Sequence, residues 1–376
     1  MAVGDIRGLC PDRFHRVREV FADHFDQGLE IGARFALAIE GEVVVDLMGG
    51  FADRAGVRPY AEDTLTAVFS TTKAMASLMI ARLADAGRLS YDQPVADRWP
   101  EFASAGKGRV TIAEAMSHQA GLPGLVEPME PIAWFDEGLI AGKLAAMSPL
   151  WPPGSASGYH PVTFGYLAGE IFRRVDGREL GAALAEDLAG PLGLDLWIGV
   201  PDAEQPRCAD VRKPPARPNL GPPTEARRVA FLTPWASPGG VSLAEWRRAS
   251  IPSVTGHATA PALARMMAII ACNGRLDGKQ ILSAGGVREA TRERISGPDL
   301  VLPYELSWGA GFLRNEGLSI YGPGGETVGH SGWGGSCAFA DPERRVSGAY
   351  VMNKQSAELI ADGRAMVLID AAYTGL

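Results

Sequence analysis

A serine and a lysine three residues apart, Ser70 and Lys73, are the side chains of this sequence with the clearest chemical meaning. The residues after Lys73 repeat apolar side chains at the spacing of one helical face, which predicts a helix that begins close to Ser70. Positions three apart lie on the same side of a helix, so the Lys73 amine can reach the Ser70 hydroxyl. The positive end of the helix dipole favours a developing alkoxide there. The pair can therefore supply a serine nucleophile that is activated without histidine.

The Ser-x-x-Lys spacing is short enough to occur by chance. It recurs at Ser104 and Lys107, in a loop-like stretch without a helical pattern after it, and we interpret that copy as a coincidence. For Ser70 the alternative is an ordinary helix-capping serine followed by a surface lysine. The Ser-x-x-Lys pattern therefore indicates an active site only if other segments of the chain supply further catalytic groups.

Two further segments could supply those partners. Tyr159 and His160 follow a turn rich in proline and precede a predicted helix, so the phenol can point into a cleft. The alternative for Tyr159 is packing against the start of that helix. The glycine-rich segment, residues 329–335, precedes a buried strand. Glycines allow a backbone to approach a ligand, so the N–H of Trp333 can join that of Ser70 in an oxyanion hole; the alternative is a plain turn.

With these three segments the chain resembles the serine β-lactamase and penicillin-binding-protein superfamily, and more narrowly the class C-like family VIII carboxylesterases. The resemblance extends over nearly the whole chain, and the motifs occur in the family's order. It implies that Ser70 is the nucleophile and that Lys73 and Tyr159 act as general base and acid, with the choice of base left open. The residues implied to contact the substrate are His160, His330, Ser331, Gly332 and Trp333.

Two positions depart from the motifs of that superfamily. Pro161 stands where the Tyr-x-Asn motif has its asparagine, so the amide that would contact a β-lactam or a peptide is missing. His330 stands where the Lys-Thr-Gly motif has its lysine, and an ordinary histidine is largely neutral at pH 7. In relatives that recognise lactams, that lysine helps to hold the substrate carboxylate. We therefore expect a serine carboxylesterase that forms an acyl-enzyme with small esters of short acyl chains and needs no cofactor.

Other functions stay open at the level of the sequence. A β-lactamase, a D-amino-acid peptidase or another amide hydrolase would use the same residues. A non-catalytic binding protein could share the fold, although it has no need to keep Ser70, Lys73 and Tyr159 together. An α/β-hydrolase is excluded by residue order, because the nearest match to its nucleophile motif is at Ser336 and no histidine follows it.

Strand patterns at both ends of the chain must position these residues. Residues 35–47 and 336–353 each predict a β-hairpin, and about 357–373 predicts a final helix. Most of 110–200 has a helical pattern. The fold class expected is α/β of the α+β type: a β-lactamase-like antiparallel sheet built from both termini and flanked by helices, with an inserted, mainly helical domain. The predicted domains are 1–70 plus 257–376 for the sheet and 71–256 for the helices.

The helical domain ends in a proline-rich loop at about 200–256. Nine of the 27 prolines fall between Pro201 and Pro238, with few periodic apolar positions. A long irregular stretch of this kind is usually a disordered linker or a functional loop over a site. Trp235 and Trp246 favour an ordered lid over a site.

Composition and charge limit the kinds of molecule that the protein is expected to bind. A net charge of −8 without basic runs speaks against nucleic acid, and no apolar stretch is long enough to predict a membrane span. The four scattered cysteines favour thiols in a reducing compartment. The first residues contain no apolar secretory core, so a cytoplasmic location is expected. The expected partner is a small-molecule ester, and the oligomeric state stays open.

Overall fold

The computed structural model describes residues 5–214, 216–237 and 241–376. Antiparallel strands from both ends of the chain form its main sheet. The strands are β1 (Arg7–Leu9), β2 (Gly32–Ile39), β3 (Glu42–Gly50), β4 (Thr66–Ala67), β5 (Leu196–Ile198), β6 (Gly256–Ala258), β7 (Arg275–Leu276), β8 (Lys279–Gln280), β9 (Ile295–Pro298), β10 (Glu305–Trp308), β11 (Leu313–Arg314), β12 (Val328–Ser331), β13 (Cys337–Asp341) and β14 (Val346–Met352).

The strand order of the main sheet is β1-β3-β2-β14-β13-β12-β11-β10-β9. The strands β2 and β14 come from opposite ends of the chain and pair antiparallel in its middle, where Gly348 lies opposite Leu37. The two predicted hairpins correspond to the pairs β2–β3 and β13–β14. The predicted fold class, with one antiparallel sheet built from both termini, is therefore confirmed. The limits assigned to the two domains stay a prediction.

The side chains of β14 alternate between two apolar clusters, one on each face of the sheet. Ala349 and Val351 belong to the cluster on the face that packs against Ala260–Ala271, whereas Tyr350 and Met352 belong to the cluster on the other face. The small side chain of Ala349 lets a helix approach the first face closely. That helix, α10, is apolar along most of its surface and packs across the middle of the sheet.

Helices cover both faces of the sheet and fill the middle of the chain. Among the described residues, no helix combines the length and the apolar character that crossing a bilayer requires. The helices are α1 (His15–Asp26), α2 (Thr72–Asp85), α3 (Ile112–Met116), α4 (Glu137–Ala146), α5 (Thr163–Asp176), α6 (Leu180–Leu184), α7 (Gly190–Leu192), α8 (Glu225–Phe231), α9 (Leu243–Arg248), α10 (Ala260–Ala271), α11 (Ala284–Thr291) and α12 (Gly363–Tyr373).

The helix α2 is the central helix of the molecule. It packs against α5 and α11, and its N-terminal end meets β12. Its sequence is apolar on nearly all sides, which is typical of a helix that is buried all round. The residues at its start are therefore held by packing from several directions.

A small second sheet brings two distant segments to the start of α2. The strand β4 lies just before Ser70, and β6 lies just after residue 253. These strands pair antiparallel, with Ala67 opposite His257, and β5 extends the sheet on the other side of β6. The end of the proline-rich loop is thereby placed beside the serine of the Ser-x-x-Lys motif.

The rest of the proline-rich loop folds onto the helical part of the molecule. Its described residues include the short helices α8 and α9. The buried indole of Trp235 packs against Trp134, and the Trp134 indole N–H donates to the Trp235 carbonyl at 2.5 Å. Two of the prolines that defined this loop, Pro215 and Pro238, lie outside the described residues.

Candidate active site

Ser70 lies on a single 3-10 turn, Phe69–Thr71, that runs directly into α2. Phe69 has a φ of +46°, which is uncommon for a residue with a bulky side chain. The hydroxyl of Thr72 holds this turn, because it donates to the Phe69 carbonyl and accepts from the Gly256 N–H at 2.9 Å. Local strain persists only where the surroundings determine it, and it is typical of functional sites.

Lys73 is completely buried, and its amine has three oxygen neighbours. Lys73 Nζ lies 3.1 Å from Ser70 Oγ, 2.7 Å from the Pro161 carbonyl oxygen and 3.2 Å from the Ser253 carbonyl oxygen. Burial lowers the pKa of the amine well below its usual range. The neutral amine, which can accept a proton, is thereby favoured.

Tyr159 faces the same amine from the other side. Lys73 Nζ lies 4.8 Å from the centre of the phenol ring, which also stacks on the indole of Trp308 with centres 6.0 Å apart. Burial raises the pKa of Tyr159; the side chain of Ser70 lowers it and the Asp299 carboxylate raises it further. The net direction is upward, so the phenol stays protonated and can donate a proton.

The glycine-rich segment continues from the end of β12 and approaches the Ser70 turn closely. A Cβ atom on Gly332 would collide with the Val68 carbonyl and the Ser336 hydroxyl, so only glycine fits there. Among the described residues, the Trp333 N–H donates to no protein group, whereas the N–H groups of Gly332, Gly334 and Gly335 are bonded. One backbone donor beside Ser70 is therefore available to a ligand.

The indole of Trp333 also closes one side of the site. Its ring meets the ring of Phe69 edge to face, with the ring centres 5.9 Å apart. Both side chains are partly exposed, and Phe69 directly precedes the nucleophile candidate Ser70. This pair forms an apolar wall that a small acyl group could contact.

His330 and Ser331 point to opposite faces of β12, as successive strand residues do. The ring of His330 is buried, with its Nδ1 2.8 Å from the Ser331 carbonyl oxygen and its centre 6.2 Å from that of Tyr159. Burial and the Lys73 amine lower the pKa of His330 to about 3, so the imidazole is neutral. The Ser331 hydroxyl instead pairs with the Tyr321 hydroxyl at 2.8 Å.

The ring nitrogens of His160 are both engaged inside the protein. Its Nε2 accepts the Leu122 N–H at 3.0 Å, and its Nδ1 lies 2.6 Å from the Gly158 carbonyl oxygen. The residue is completely buried, and burial lowers its pKa to about 3. His160 therefore supports the loop of Tyr159 and presents no ring nitrogen to a substrate.

The second Ser-x-x-Lys copy has a different geometry. The amine of Lys107 donates to the backbone carbonyl of Ser104 at 2.9 Å and to the Met147 carbonyl at 2.5 Å. Neither bond involves the Ser104 hydroxyl, so these contacts give the amine no route to the proton of that hydroxyl. The Ser-x-x-Lys spacing alone therefore does not make the pair: Lys73 contacts the hydroxyl of its serine, whereas Lys107 contacts only the backbone carbonyl of its own.

Three residues at the site have roles that the sequence motifs do not indicate. The Ser253 carbonyl and the Thr72 hydroxyl hold Lys73 and the Ser70 turn, and Asp299 accepts the Tyr159 N–H at 2.9 Å. Thr72 lies within the Ser-x-x-Lys motif, so its hydroxyl was a signal that could have been used. No local pattern marks Ser253 or Asp299. In the part of the chain that the structure describes, no cluster of His, Cys, Asp and Glu is arranged to hold a metal ion.

Comparison with known proteins places the chain in a family. The model of the Beta-lactamase family matches residues 20–372. The chain is 37% identical over 368 residues to the Esterase/beta-lactamase LipL of Mycobacterium tuberculosis, covering 94% of this chain and 84% of that protein. A penicillin-binding protein homolog from Caulobacter crescentus is 64% identical with a TM-score of 0.97, covering 99% of this chain and 100% of that one. The structure of a family VIII carboxylesterase is 41% identical with a TM-score of 0.93, at 99% and 100% coverage.

Proposed function

The chain belongs to the beta-lactamase family, and from that membership we propose that the protein is a serine carboxylesterase acting on small esters. Similarity to an esterase/beta-lactamase and to a family VIII carboxylesterase supports ester hydrolysis. The observation that carries the proposal is the meeting of three groups: Lys73 Nζ lies 3.1 Å from Ser70 Oγ and 4.8 Å from the ring centre of Tyr159.

We assign the role of general base to Lys73. A neutral amine has two N–H groups and one lone pair. The carbonyl oxygens of Pro161 and Ser253 can only accept hydrogen bonds, so they take both N–H groups. The remaining lone pair is then directed at the third neighbour, the Ser70 hydroxyl. Because burial holds the pKa of Tyr159 above its usual value, a phenolate is disfavoured and Tyr159 takes the role of acid.

The reaction then proceeds through an acyl-enzyme. Ser70 Oγ attacks the ester carbonyl carbon while its proton passes to Lys73 Nζ. The oxyanion is held by the N–H groups of Ser70 and Trp333, and each such donor typically accounts for about 10²–10³ in rate. Tyr159 protonates the leaving alkoxide and regains a proton from the Lys73 ammonium. Water, deprotonated by the neutral amine, then attacks the acyl carbon; the acid is released as the bond to Ser70 Oγ breaks, and the Lys73 ammonium returns the proton to that oxygen.

The surroundings favour esters without a carboxylate. The neutral His330 provides no cation at the position where the superfamily has the lysine of its Lys-Thr-Gly motif. The half-exposed rings of Phe69 and Trp333 offer apolar contact beside the nucleophile, which suits a short acyl chain. Lactams and peptides carry a carboxylate that this site leaves unpaired, so we expect them to be poorer substrates.

The decisive experiment compares Ser70→Ala with Ser104→Ala, the matched control in the second Ser-x-x-Lys copy. We expect Ser70→Ala to abolish hydrolysis of a short-chain nitrophenyl ester and labelling by a fluorophosphonate, with an unchanged circular dichroism spectrum. Ser104→Ala should retain both. A parallel assay with a chromogenic cephalosporin should give the slower turnover. Normal ester turnover by Ser70→Ala would refute the assignment, and faster cephalosporin turnover would favour a β-lactamase.

A further inference from the structure

Asp299 is a buried carboxylate that the proposed reaction does not use. Its exposed fraction is 5%, and in the described part of the chain no lysine or arginine pairs with it. An isolated carboxylate is costly to bury unless hydrogen bonds compensate for its lost hydration. Burial raises the pKa of Asp299, and its hydrogen bonds oppose that rise. The hydrogen bonds that compensate for the burial of the Asp299 carboxylate therefore indicate its role.

The hydrogen bonds of Asp299 join two loops. Its Oδ1 accepts three backbone N–H groups, those of Tyr159, Val301 and Leu302, each at 2.9 Å. Its Oδ2 accepts the Ser157 hydroxyl at 3.1 Å. The loop that carries the catalytic phenol is thereby tied to the loop between β9 and β10, and the tie includes the backbone of Tyr159 itself.

We propose that Asp299 is a positioning residue for Tyr159 and sets the phenol where it protonates the leaving alcohol. This inference rests on the proposed function. With the backbone fixed by Asp299, the ring direction is set by packing between Trp308 and His118, whose ring centre lies 4.9 Å from that of Tyr159. Loss of the carboxylate would free the backbone and leave the phenol without a defined distance to Ser70.

The charge of Asp299 acts in the same direction as its hydrogen bonds. The titratable groups that face Tyr159 are the Lys73 amine, the imidazoles of His118 and His330, the Asp299 carboxylate and the Tyr321 phenol, whose pKa burial raises well above its usual value. Burial keeps both imidazoles neutral by lowering their pKa values. The Asp299 carboxylate adds to the burial that raises the pKa of Tyr159. A protonated phenol, as an acid requires, is thus favoured by the same group that fixes its backbone.

Two esters of the same acid separate this role from a loss of stability. A nitrophenolate leaves without a proton, whereas an alkoxide must be protonated as it leaves. For Asp299→Ala we expect kcat/KM to fall about 10²-fold with the ethyl ester and less than about threefold with the nitrophenyl ester. Tyr159→Phe, measured in parallel, should show the same selective loss. Asp299→Asn, which keeps the acceptor oxygen, should stay within about threefold of wild type on both esters.

A buried aspartate elsewhere provides the control for folding. Asp341, at the end of β13, also accepts backbone N–H groups, those of Glu343 and Arg344. Asp341→Ala should lower the two ester rates equally, if at all. Equal losses with Asp299→Ala, beside a selective loss with Tyr159→Phe, would overturn the role of Asp299 and leave the proposed function standing.

The other possible results with the Tyr159 and Asp299 variants also test the proposal. A Tyr159→Phe variant without selective loss would overturn the acid role of Tyr159, and this proposal with it. A selective loss in Asp299→Asn as large as that in Asp299→Ala would overturn the hydrogen-bond basis. Should Asp299→Ala not fold, Asp299→Ser takes its place, since its hydroxyl is too short to reach the three N–H groups.

Discussion

We propose that the neutral ring of His330 determines how the candidate site treats anionic substrates. His330 occupies the position of the lysine in the superfamily's Lys-Thr-Gly motif, and its ring is buried close to Lys73 and Tyr159. A second amine there would supply the cation that holds a lactam carboxylate. It would also lie near the Lys73 amine, and two cations in a buried site oppose each other. We infer that a histidine at this position gives up recognition of a carboxylate and helps to keep the Lys73 amine neutral.

We expect His330→Lys to raise kcat/KM for a chromogenic cephalosporin about tenfold, because the new ammonium can pair with its carboxylate. The nitrophenyl ester, which has no carboxylate, should be hydrolysed no faster. Steady-state kinetics with both substrates measure the change, and His330→Gln is the control that alters shape without charge. Unchanged cephalosporin turnover would mean that the residue does not reach the substrate.

The residues that sequence could identify are those that act through their own side chains. Ser70, Lys73 and Tyr159 carry reactive side chains in segments that follow the order of the family's motifs, and the structure brings them together. Ser253 contributes a backbone carbonyl, which every residue type has, so nothing in its letter marks it. Asp299 lies 140 positions from Tyr159 along the chain, and only the fold places them in contact.

At the scale of elements, the turn that carries Ser70 is fixed by one hydroxyl bridge. Thr72 connects the left-handed Phe69 to the N–H of Gly256 on β6, so the bridge joins the start of α2 to the small sheet. Removing the hydroxyl leaves a buried N–H unpaired, which typically costs about 1–3 kcal/mol.

We expect Thr72→Val, which keeps the shape and removes the hydroxyl, to lower kcat about tenfold and to lower the melting temperature. Thr72→Ser, which keeps the hydroxyl, should restore most of the rate. Ester kinetics and calorimetry measure the two effects. A Thr72→Val variant that melts earlier but retains its kcat would show that the bridge stabilises the fold without orienting Ser70.

Helices and strands whose apolar side chains recur with a clear period could be predicted from the sequence. The segments that support the candidate site were harder to predict. The hairpins and α10 follow from alternating or helical apolar patterns. The final helix was predicted from about 357, but α12 begins at Gly363, capped by Asp362. The preceding residues form an irregular loop, in which the Glu358 carbonyl accepts the Gly334 N–H and the Ser356 N–H donates to the Gly334 carbonyl. Their bonds support the glycine-rich segment, which no local pattern reveals.

At the scale of the whole molecule, both ends of the chain meet behind that segment. Arg364 of α12 donates to the Gly334 carbonyl at 2.6 Å and lies 3.0 Å from Asp362. It also pairs with Glu30, just before β2, at 3.2 Å, and the Tyr350 hydroxyl of β14 donates to Glu30. A buried network of charges therefore links the N-terminal and C-terminal parts of the sheet to the backbone beside the candidate nucleophile, Ser70.

This network makes stability depend on pH in a defined direction. Burial raises the pKa of Glu30 to about 7. In the unfolded chain a glutamate titrates near its ordinary value of about 4.3. Between these values the folded protein holds a proton that the unfolded chain has released, so the free energy of unfolding falls as pH rises through this range. The fall amounts to about 3 kcal/mol for this one group.

We expect Glu30→Gln to remove that fall, because a glutamine does not titrate. Urea unfolding at pH 4.5 and pH 7.5 measures it: relative to wild type, the variant should gain about 3 kcal/mol between the two pH values. The buried His24 titrates in both proteins and cancels in the difference. Glu40→Gln, at an exposed glutamate, should keep the wild-type pH dependence. An equal fall in Glu30→Gln and wild type would mean that the network holds Glu30 ionised throughout, with Arg364 outweighing burial.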